Sequence, residues 1–186
     1  MPGRGCGQPP HGKNRGFTLM ELLVVIAVSG ILLAVAVPAF STFVMSERQN
    51  SEVSSLALSL DFARAEAIKQ DNSAGIEVCA SSNGSTCTGG TWSQGWIVVP
   101  SGGGTPLLVI PALTSGNTLT AVTGTTAATS TTFTPNGLPS VNITFNLCDR
   151  RGAAYARYVE LGSGGRVYAA PTPGVNASSG TALTCP

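Results

Sequence analysis

The sequence predicts an α+β protein, in which one long N-terminal helix packs against a C-terminal antiparallel β-sheet head that carries disulfides. Three observations support this fold class. Residues 22–40 contain no charged side chain, residues 46–70 contain no Pro or Gly, and the rest of the chain alternates short apolar runs with turn residues. The 186 residues suffice for one domain with an appendage, and we find no internal repeat.

The uncharged run from Leu22 to Phe40 is 19 residues long, which is enough for a helix to cross a bilayer of about 30 Å. The basic residues that precede the run favour a cytoplasmic N-terminus: Arg4, Lys13 and Arg15. A secretory signal peptide cleaved near Ala36 and a simple membrane anchor are the alternatives. Neither explains Glu21, because a carboxylate at the membrane centre costs about 2.5–3.5 kcal/mol.

The helix is expected to continue beyond the apolar run, from Ser46 to Gln70. Apolar residues recur there at spacings of three and four and so share one helical face: Val53, Leu56, Leu60, Ala63 and Ala67. Packing of this face on the chain's own sheet is our prediction, and a short coiled-coil seam is the alternative. Asp61 and Arg64 are spaced to form an ion pair. Pro38 should bend the helix or loosen its hydrogen bonding near Ala34.

After the helix, runs rich in Val, Ile, Phe and Trp lie between Gly, Pro, Asn and Ser clusters, a pattern typical of strands. We predict strands near Gly75–Cys79, Gly95–Val99, Leu107–Ile110, Thr118–Val122, Thr131–Thr134, Val141–Cys148, Tyr155–Leu161 and Arg166–Ala169. Asn136-Gly137 is a turn signal between two of them.

The segment from Gly16 to Glu21, GFTLME, followed by LLVV, resembles the prepilin motif of type IV pilins and type II secretion pseudopilins. The resemblance implies that a prepilin peptidase cleaves between Gly16 and Phe17, and that an N-methyltransferase then methylates Phe17. Glu21 becomes the fifth mature residue, where the family carries an acid, and Pro38 matches a helix-bending proline. The Phe17 amine of a neighbouring subunit can neutralise Glu21, which favours one axial stagger and an open helical filament.

This resemblance implies an order of segments along the chain. Residues 1–16 form a cleaved leader, 17–45 a transmembrane and assembly helix, 46–70 its amphipathic continuation, and 71–186 a periplasmic β-rich head. The expected location is the bacterial inner membrane, crossed once with the N-terminus in the cytoplasm, and afterwards a pilus or pseudopilus filament.

Three further stretches are similar to the GspH/FimT/FimU branch of the family: Ala63–Ile68, Cys79–Val99, and the C-terminal segments LCDRRG and GGRV. The similarity implies a minor pilin or pseudopilin, a low-abundance subunit that primes or caps filament assembly. Its implied partners are other minor and major pilins or pseudopilins. The paired cysteines favour a subunit of a type IV pilus over a subunit of a type II secretion system. Both assignments stay as alternatives.

The five cysteines divide into one leader residue, Cys6, and four in the mature chain. An oxidising compartment outside the cytoplasmic membrane allows disulfides to persist. Of the three connectivities, we favour Cys79–Cys87 and Cys148–Cys185. A metal site is the alternative, but no CxxC pair occurs. We therefore expect neither a metal nor a cofactor.

Some relatives bind DNA through a Gly-Arg-x-Arg element, and this chain has Gly165-Arg166-Val167-Tyr168 in its place. Four arginines nearby could hold phosphates: Arg150, Arg151, Arg157 and Arg166. Tyr155 is expected to lie on the same strand face as Arg157. DNA uptake is therefore the alternative function, and an adhesin built on the Tyr and Trp residues is a further one.

An enzyme is not expected. His11, in the leader, is the sole histidine of the sequence, so no His-based triad or zinc site can form in the mature chain. No carboxylate pair or nucleophile–base pair stands in a recognisable motif.

Overall fold

The computed structural model describes residues 16–70, 74–176 and 179–185. The chain divides into two compact units, Met1–Thr42 and Phe43–Pro186. The described part of the first unit is helical apart from its first three residues. The second unit holds the C-terminal part of the same helix and all the described strands.

Helix α1 runs from Leu19 to Gln70 without interruption, although Pro38 lies inside it. The prediction of one helix through both the uncharged and the amphipathic segments is confirmed. Thr18 caps it, because the Thr18 Oγ1 atom accepts a hydrogen bond of 3.2 Å from the Glu21 backbone N–H.

Within the described residues, nine strands follow the helix: β1 Ile76–Ala80, β2 Gly95–Pro100, β3 Leu108–Pro111, β4 Thr118–Thr123, β5 Thr126–Ala127, β6 Ser130–Phe133, β7 Ile143–Cys148, β8 Arg157–Leu161 and β9 Val167–Ala169. Two 3-10 turns also occur, at Trp92–Gln94 and Ala153–Tyr155. Eight of the strands were predicted to within two residues at each end. The ninth, β5, contains only two residues and is too short to show an alternating pattern.

The strands form two antiparallel sheets rather than one. The first has the order β3-β2-β1-β6 and the second the order β5-β4-β7-β8-β9. Gly95, at the start of β2, shows why glycine is needed where β2 meets β3. Its φ is +106°, and a Cβ there would lie 2.5 Å from the carbonyl oxygen of Ile110.

The core lies where α1 packs on both sheets. Four of the five predicted stripe residues, Leu56, Leu60, Ala63 and Ala67, are fully buried, and Val53 is partly buried against them. Because this stripe packs on the chain's own sheets, it does not form a coiled-coil seam. In the same core, the Trp92 ring meets Phe145 edge to face, with centroids 5.0 Å apart.

Two disulfides link the strands to less regular segments. The loop disulfide, Cys79–Cys87, joins β1 to the Gly- and Ser-rich loop after it. The tail disulfide, Cys148–Cys185, joins the end of β7 to the C-terminal tail. Both pairs have the connectivity that we favoured. The tail covers Tyr158 on β8, in a small cluster that includes Leu183.

Candidate functional site

The residues of the prepilin-like motif lie together at the start of α1. Gly16, Phe17 and Thr18 precede the first helical residue, and together with Glu21 they line one open pocket. The peptide bond between Gly16 and Phe17 is therefore outside the helical hydrogen-bond ladder. The leader residues Cys6 and His11, and the three basic residues near them, lie outside the described residues.

Every residue from Gly16 to Val44, which includes the N-terminal half of α1, is exposed, and Phe17 keeps 80% of its accessible surface. One helix in the described part of the chain, α1, is long and apolar enough to span a membrane. An apolar surface of this size needs lipid or another protein to cover it. The N-terminal half of α1 is therefore the candidate assembly surface.

Pro38 lacks a backbone N–H, so the Ala34 carbonyl loses its usual helical donor. The helix continues nonetheless, and two hydroxyls approach the proline itself. Ser41 Oγ and Thr42 Oγ1 donate to the Pro38 carbonyl over 2.8 Å and 3.2 Å. Both side-chain hydrogen bonds begin one turn after this gap, and the bend or loosening near Ala34 stays a prediction.

The junction between α1 and the sheets is held by Arg151. Its guanidinium forms an ion pair of 2.7 Å with Asp149, whose side chain is only 3% exposed. It also donates to Ser46 Oγ over 2.9 Å and to Gln49 Oε1 over 3.1 Å, both on α1. The Tyr155 ring lies 4.4 Å from the guanidinium carbon. We call Arg151 and these four partners the arginine network.

Two more polar contacts fix the same helix face. Trp96 Nε1 donates to Ser59 Oγ over 3.0 Å inside the core. Asn117 Nδ2 donates to Glu52 Oε2 over 2.7 Å. Burial raises the pKa of the Glu52 carboxyl, against the opposing effects of the Asn117 hydrogen bond and the Arg48 charge.

The four arginines predicted as a DNA-binding group are not all brought together. Arg157 begins β8, whereas Arg166 lies beyond its far end, next to β9. Four strand residues separate them by roughly 13 Å or more along the sheet. Arg151 is engaged in the arginine network, while Arg150 and Arg166 are exposed.

Two local expectations are wrong. Tyr155 belongs to a 3-10 turn and not to β8, so it does not share a strand face with Arg157; it contacts Arg151 instead. Asp61 and Arg64 do not pair: the ion pairs of the described residues are Lys69–Glu66 and Arg151–Asp149. Arg64 turns towards the head, where a Cβ on Gly137 or on Gly165 would lie 3.1 Å from its Nε atom.

One group of side chains in the described part of the chain has the composition of a metal site. It consists of Glu77, Cys79 and Cys87. Both sulfurs are joined in the loop disulfide, and a disulfide sulfur is not the thiolate that a metal requires. This group therefore does not fit a metal ion.

Comparison with known protein families gives two matches. Residues 52–165 match the family model of the type II transport protein GspH. Residues 11–37 match the prokaryotic N-terminal methylation motif. The first match covers more than half of the chain, including the C-terminal part of α1 and most of the strands.

Among curated proteins, the chain is similar to the type IV narrow pilus major component PilA5 of Thermus thermophilus, with 36% identity over 86 residues that cover 44% of this chain and 72% of that protein. It is also similar to the type IV major pilin protein PilA of Myxococcus xanthus, with 46% identity over 44 residues. That match covers 24% of this chain and only 20% of the relative. The type II secretion system core protein G of Pectobacterium carotovorum is 49% identical over 39 residues, which are 19% of this chain and 25% of that protein.

Among solved structures, the fold is similar to the type IV minor pilin FimU of Pseudomonas aeruginosa. In one crystal form the TM-score is 0.55 at 21% identity, and the alignment covers 69% of this chain and 92% of FimU. In a second form the TM-score is 0.52 at 24% identity, with 66% and 92% covered. These likenesses establish a shared fold.

Proposed function

Because the chain belongs to the family of the type II transport protein GspH, we propose that it is a minor subunit that primes or caps a type IV pilus or a type II secretion pseudopilus. The observation that carries this proposal is that every residue from Gly16 to Val44 is exposed although most of them are apolar. It is joined to a head closed by two disulfides. Such a chain works by contact with other subunits, which are the other minor and major pilins or pseudopilins.

Maturation by prepilin peptidase is part of the proposal. Cleavage after Gly16 would release the leader and leave Phe17 as the new N-terminus, where methylation adds one methyl group. The exposed, non-helical Gly16–Phe17 bond supports access by the peptidase. Intact-mass analysis of chain isolated from the membrane should give residues 17–186 plus one methyl. A Gly16→Leu variant, with a bulky side chain beside the bond, should keep its leader.

The role proposed for Glu21 is to set the axial position of the subunit in the filament. In the mature chain Glu21 lies about one helical turn from the Phe17 amine. Opposite charges 4 Å apart attract by about 4 kcal/mol at an effective dielectric constant near 20. A neighbouring subunit gains this energy at one stagger and leaves Glu21 unpaired at the others, where burial in an apolar surrounding is costly.

The test compares Glu21→Gln with Glu47→Gln. Glu47 is an exposed acid on the same helix, beyond the apolar surface, and its carboxylate contacts Asn50. We expect Glu21→Gln to lower the amount of this subunit in purified filaments at unchanged membrane levels, and Glu47→Gln to leave it unchanged. Equal incorporation of both variants would contradict the pairing role.

The priming role is tested by deletion, with filament number and exoprotein secretion measured separately. Loss of filaments, restored by the intact chain, supports a pilus subunit, and loss of secretion alone supports a pseudopilus subunit. Unchanged filaments and secretion would refute the proposal. The proposed location is the inner membrane, crossed once with the head in the periplasm, and then the filament. DNA binding stays an alternative prediction. The separation of Arg157 from Arg166 along the sheet does not strengthen it.

A further inference from the structure

A small cleft beside the start of the head carries a concentration of positive charge. It has a volume of about 90 Å³ and lies between α1, the turn before β4 and the end of β7. We call it the basic cleft, and its lining residues are Met45, Arg48, Ser115, Asn117, Asp149 and Arg150. All of them belong to the second compact unit.

The two arginines of the basic cleft have no ion-pair partner in the part of the chain that the structure describes, where the ion pairs are Lys69–Glu66 and Arg151–Asp149. The Asp149 carboxylate thus forms its ion pair with Arg151 and not with Arg48 or Arg150. Glu52 lies close enough to Arg48 for the arginine charge to oppose the rise in the Glu52 pKa that burial causes. Its carboxylate accepts a hydrogen bond from Asn117.

Arg150 has only a weak contact of its own. Its Nε atom donates to the Met45 sulfur over 3.3 Å, and a thioether is a weak acceptor. Arg48 and Arg150 therefore bring two guanidinium groups to one cleft, and the Asp149 carboxylate that also lines it is paired with Arg151. An anion bound in this cleft would be attracted by both positive charges.

The backbone beside the arginines is strained. Ser115 has φ +62°, the one non-glycine residue in the described segments with a left-handed backbone. It forms a tight turn with Gly116, closed by a hydrogen bond of 3.3 Å from the Asn117 N–H to the Thr114 carbonyl. A left-handed conformation costs a non-glycine residue about 1–2 kcal/mol. Strain of this kind is concentrated at ligand-binding positions, and here it places a hydroxyl-bearing residue at the cleft.

We propose that the basic cleft binds a phosphate group. Planar guanidinium groups match the oxygens of a phosphate and donate paired, charge-assisted hydrogen bonds to them. The Ser115 hydroxyl and the second N–H of the Asn117 amide are further donors at the same place. The cleft volume of about 90 Å³ is several times the roughly 10–15 Å³ that one water molecule needs, so the cleft has room for a small polar group.

The order of the chain favours a phospholipid headgroup as the source of that phosphate. Met45 follows Val44, the last residue of the exposed apolar surface, and Arg48 is one helical turn further. When the apolar helix is inserted in a bilayer, Met45 and Arg48 reach the level of the headgroups. Free phosphate has the same chemistry, so the experiment must distinguish the two sources.

The test uses the full mature chain in uncharged detergent micelles and in nanodiscs. The micelle sample is titrated with inorganic phosphate. The nanodiscs contain either phosphatidylcholine alone or phosphatidylcholine with phosphatidylglycerol. NMR shifts of the arginine Nε–H groups report binding at each site. Arg48→Gln and Arg150→Gln remove one donor group each, and Arg166→Gln is the matched control, since Arg166 is exposed and lies outside the cleft.

We expect phosphate to shift the Arg48 and Arg150 signals together, and each cleft variant to weaken binding about tenfold. The Arg166 control should bind as the parent does. Larger shifts with phosphatidylglycerol assign the site to a lipid headgroup, whereas saturation by inorganic phosphate alone, without a lipid effect, assigns it to a soluble phosphate. No shift with any probe, or equal weakening by Arg166→Gln, overturns the proposal. Binding does not depend on filament assembly, so its failure is distinguishable from failure of the proposed function.

Discussion

Substitution of Arg151 by methionine is expected to destabilise the head by about 3 kcal/mol. The change removes a cation from Asp149, whose side chain is 3% exposed. Breaking a buried ion pair by loss of one partner costs about 3–5 kcal/mol, because the remaining charge is left without compensation. Asp149 keeps the hydrogen bond of 2.9 Å from the residue-151 backbone N–H, which places the expected cost at the lower end of the range.

The unfolding of the head can be followed through its own tryptophans. The sequence has two, Trp92 and Trp96, and both are almost completely buried in the core of the second unit. Denaturant titration of the mature chain with intact disulfides should give a lower midpoint with an unchanged slope. For a unit of this size, 3 kcal/mol corresponds to a fall in Tm of roughly 6–12 °C.

Two comparison variants decide whether the buried charge is the cause. Arg150→Met alters the neighbouring exposed arginine and should change the unfolding free energy by no more than about 0.5 kcal/mol. The double variant Asp149→Asn with Arg151→Met removes both charges and should recover much of the loss. A loss below about 1 kcal/mol for Arg151→Met, or a double variant no better than the single one, would refute the reasoning.

Other predictions concern the core, the disulfides and the surface. Ser59→Ala should lower the unfolding free energy by about 1–3 kcal/mol, because the buried Trp96 Nε1 loses its acceptor; an unchanged denaturation midpoint would contradict this. Removal of the tail disulfide should cost about 4 kcal/mol and removal of the loop disulfide about 2.5 kcal/mol, since the tail pair closes the longer loop. The raised pKa of Glu52 stabilises the fold below the ordinary value of 4.5, and this contribution is lost as the pH rises through the folded pKa. The free energy of unfolding should therefore be measured at pH 4 and pH 8 for both chains. The effect of Glu52→Gln on it should be more stabilising, or less destabilising, at pH 8 than at pH 4. If the C-terminal arginines bind DNA, affinity should fall steeply with salt and decrease in Arg166→Ala; salt-independent binding would exclude this mode.

Local patterns were sufficient for much of the fold. Helix α1 was predictable because an uncharged run and an amphipathic stripe follow each other, and residues 39–70 contain no Pro or Gly. Most strands were predictable because β-branched and aromatic runs end at turn residues. The arrangement into two sheets was not, because strand order depends on contacts between residues far apart in the chain.

The motif around Gly16, Phe17 and Glu21 needed no structure, because its residues are adjacent in the chain. The arginine network and the basic cleft did need one. Ser46, Arg48 and Gln49 approach Arg150 and Arg151 from about a hundred positions away. The two arginines look equivalent in sequence, yet one is neutralised by a buried acid and the other is exposed.

The sequence by itself thus determined the membrane-length helix, the processing motif, the β-rich head and the supply of cysteines, because each depends on composition or short-range spacing. Only the tertiary structure decided which charges are paired and which face an open cleft. The energy of a charge depends on its burial and on its neighbours in space, and the folded chain supplies both.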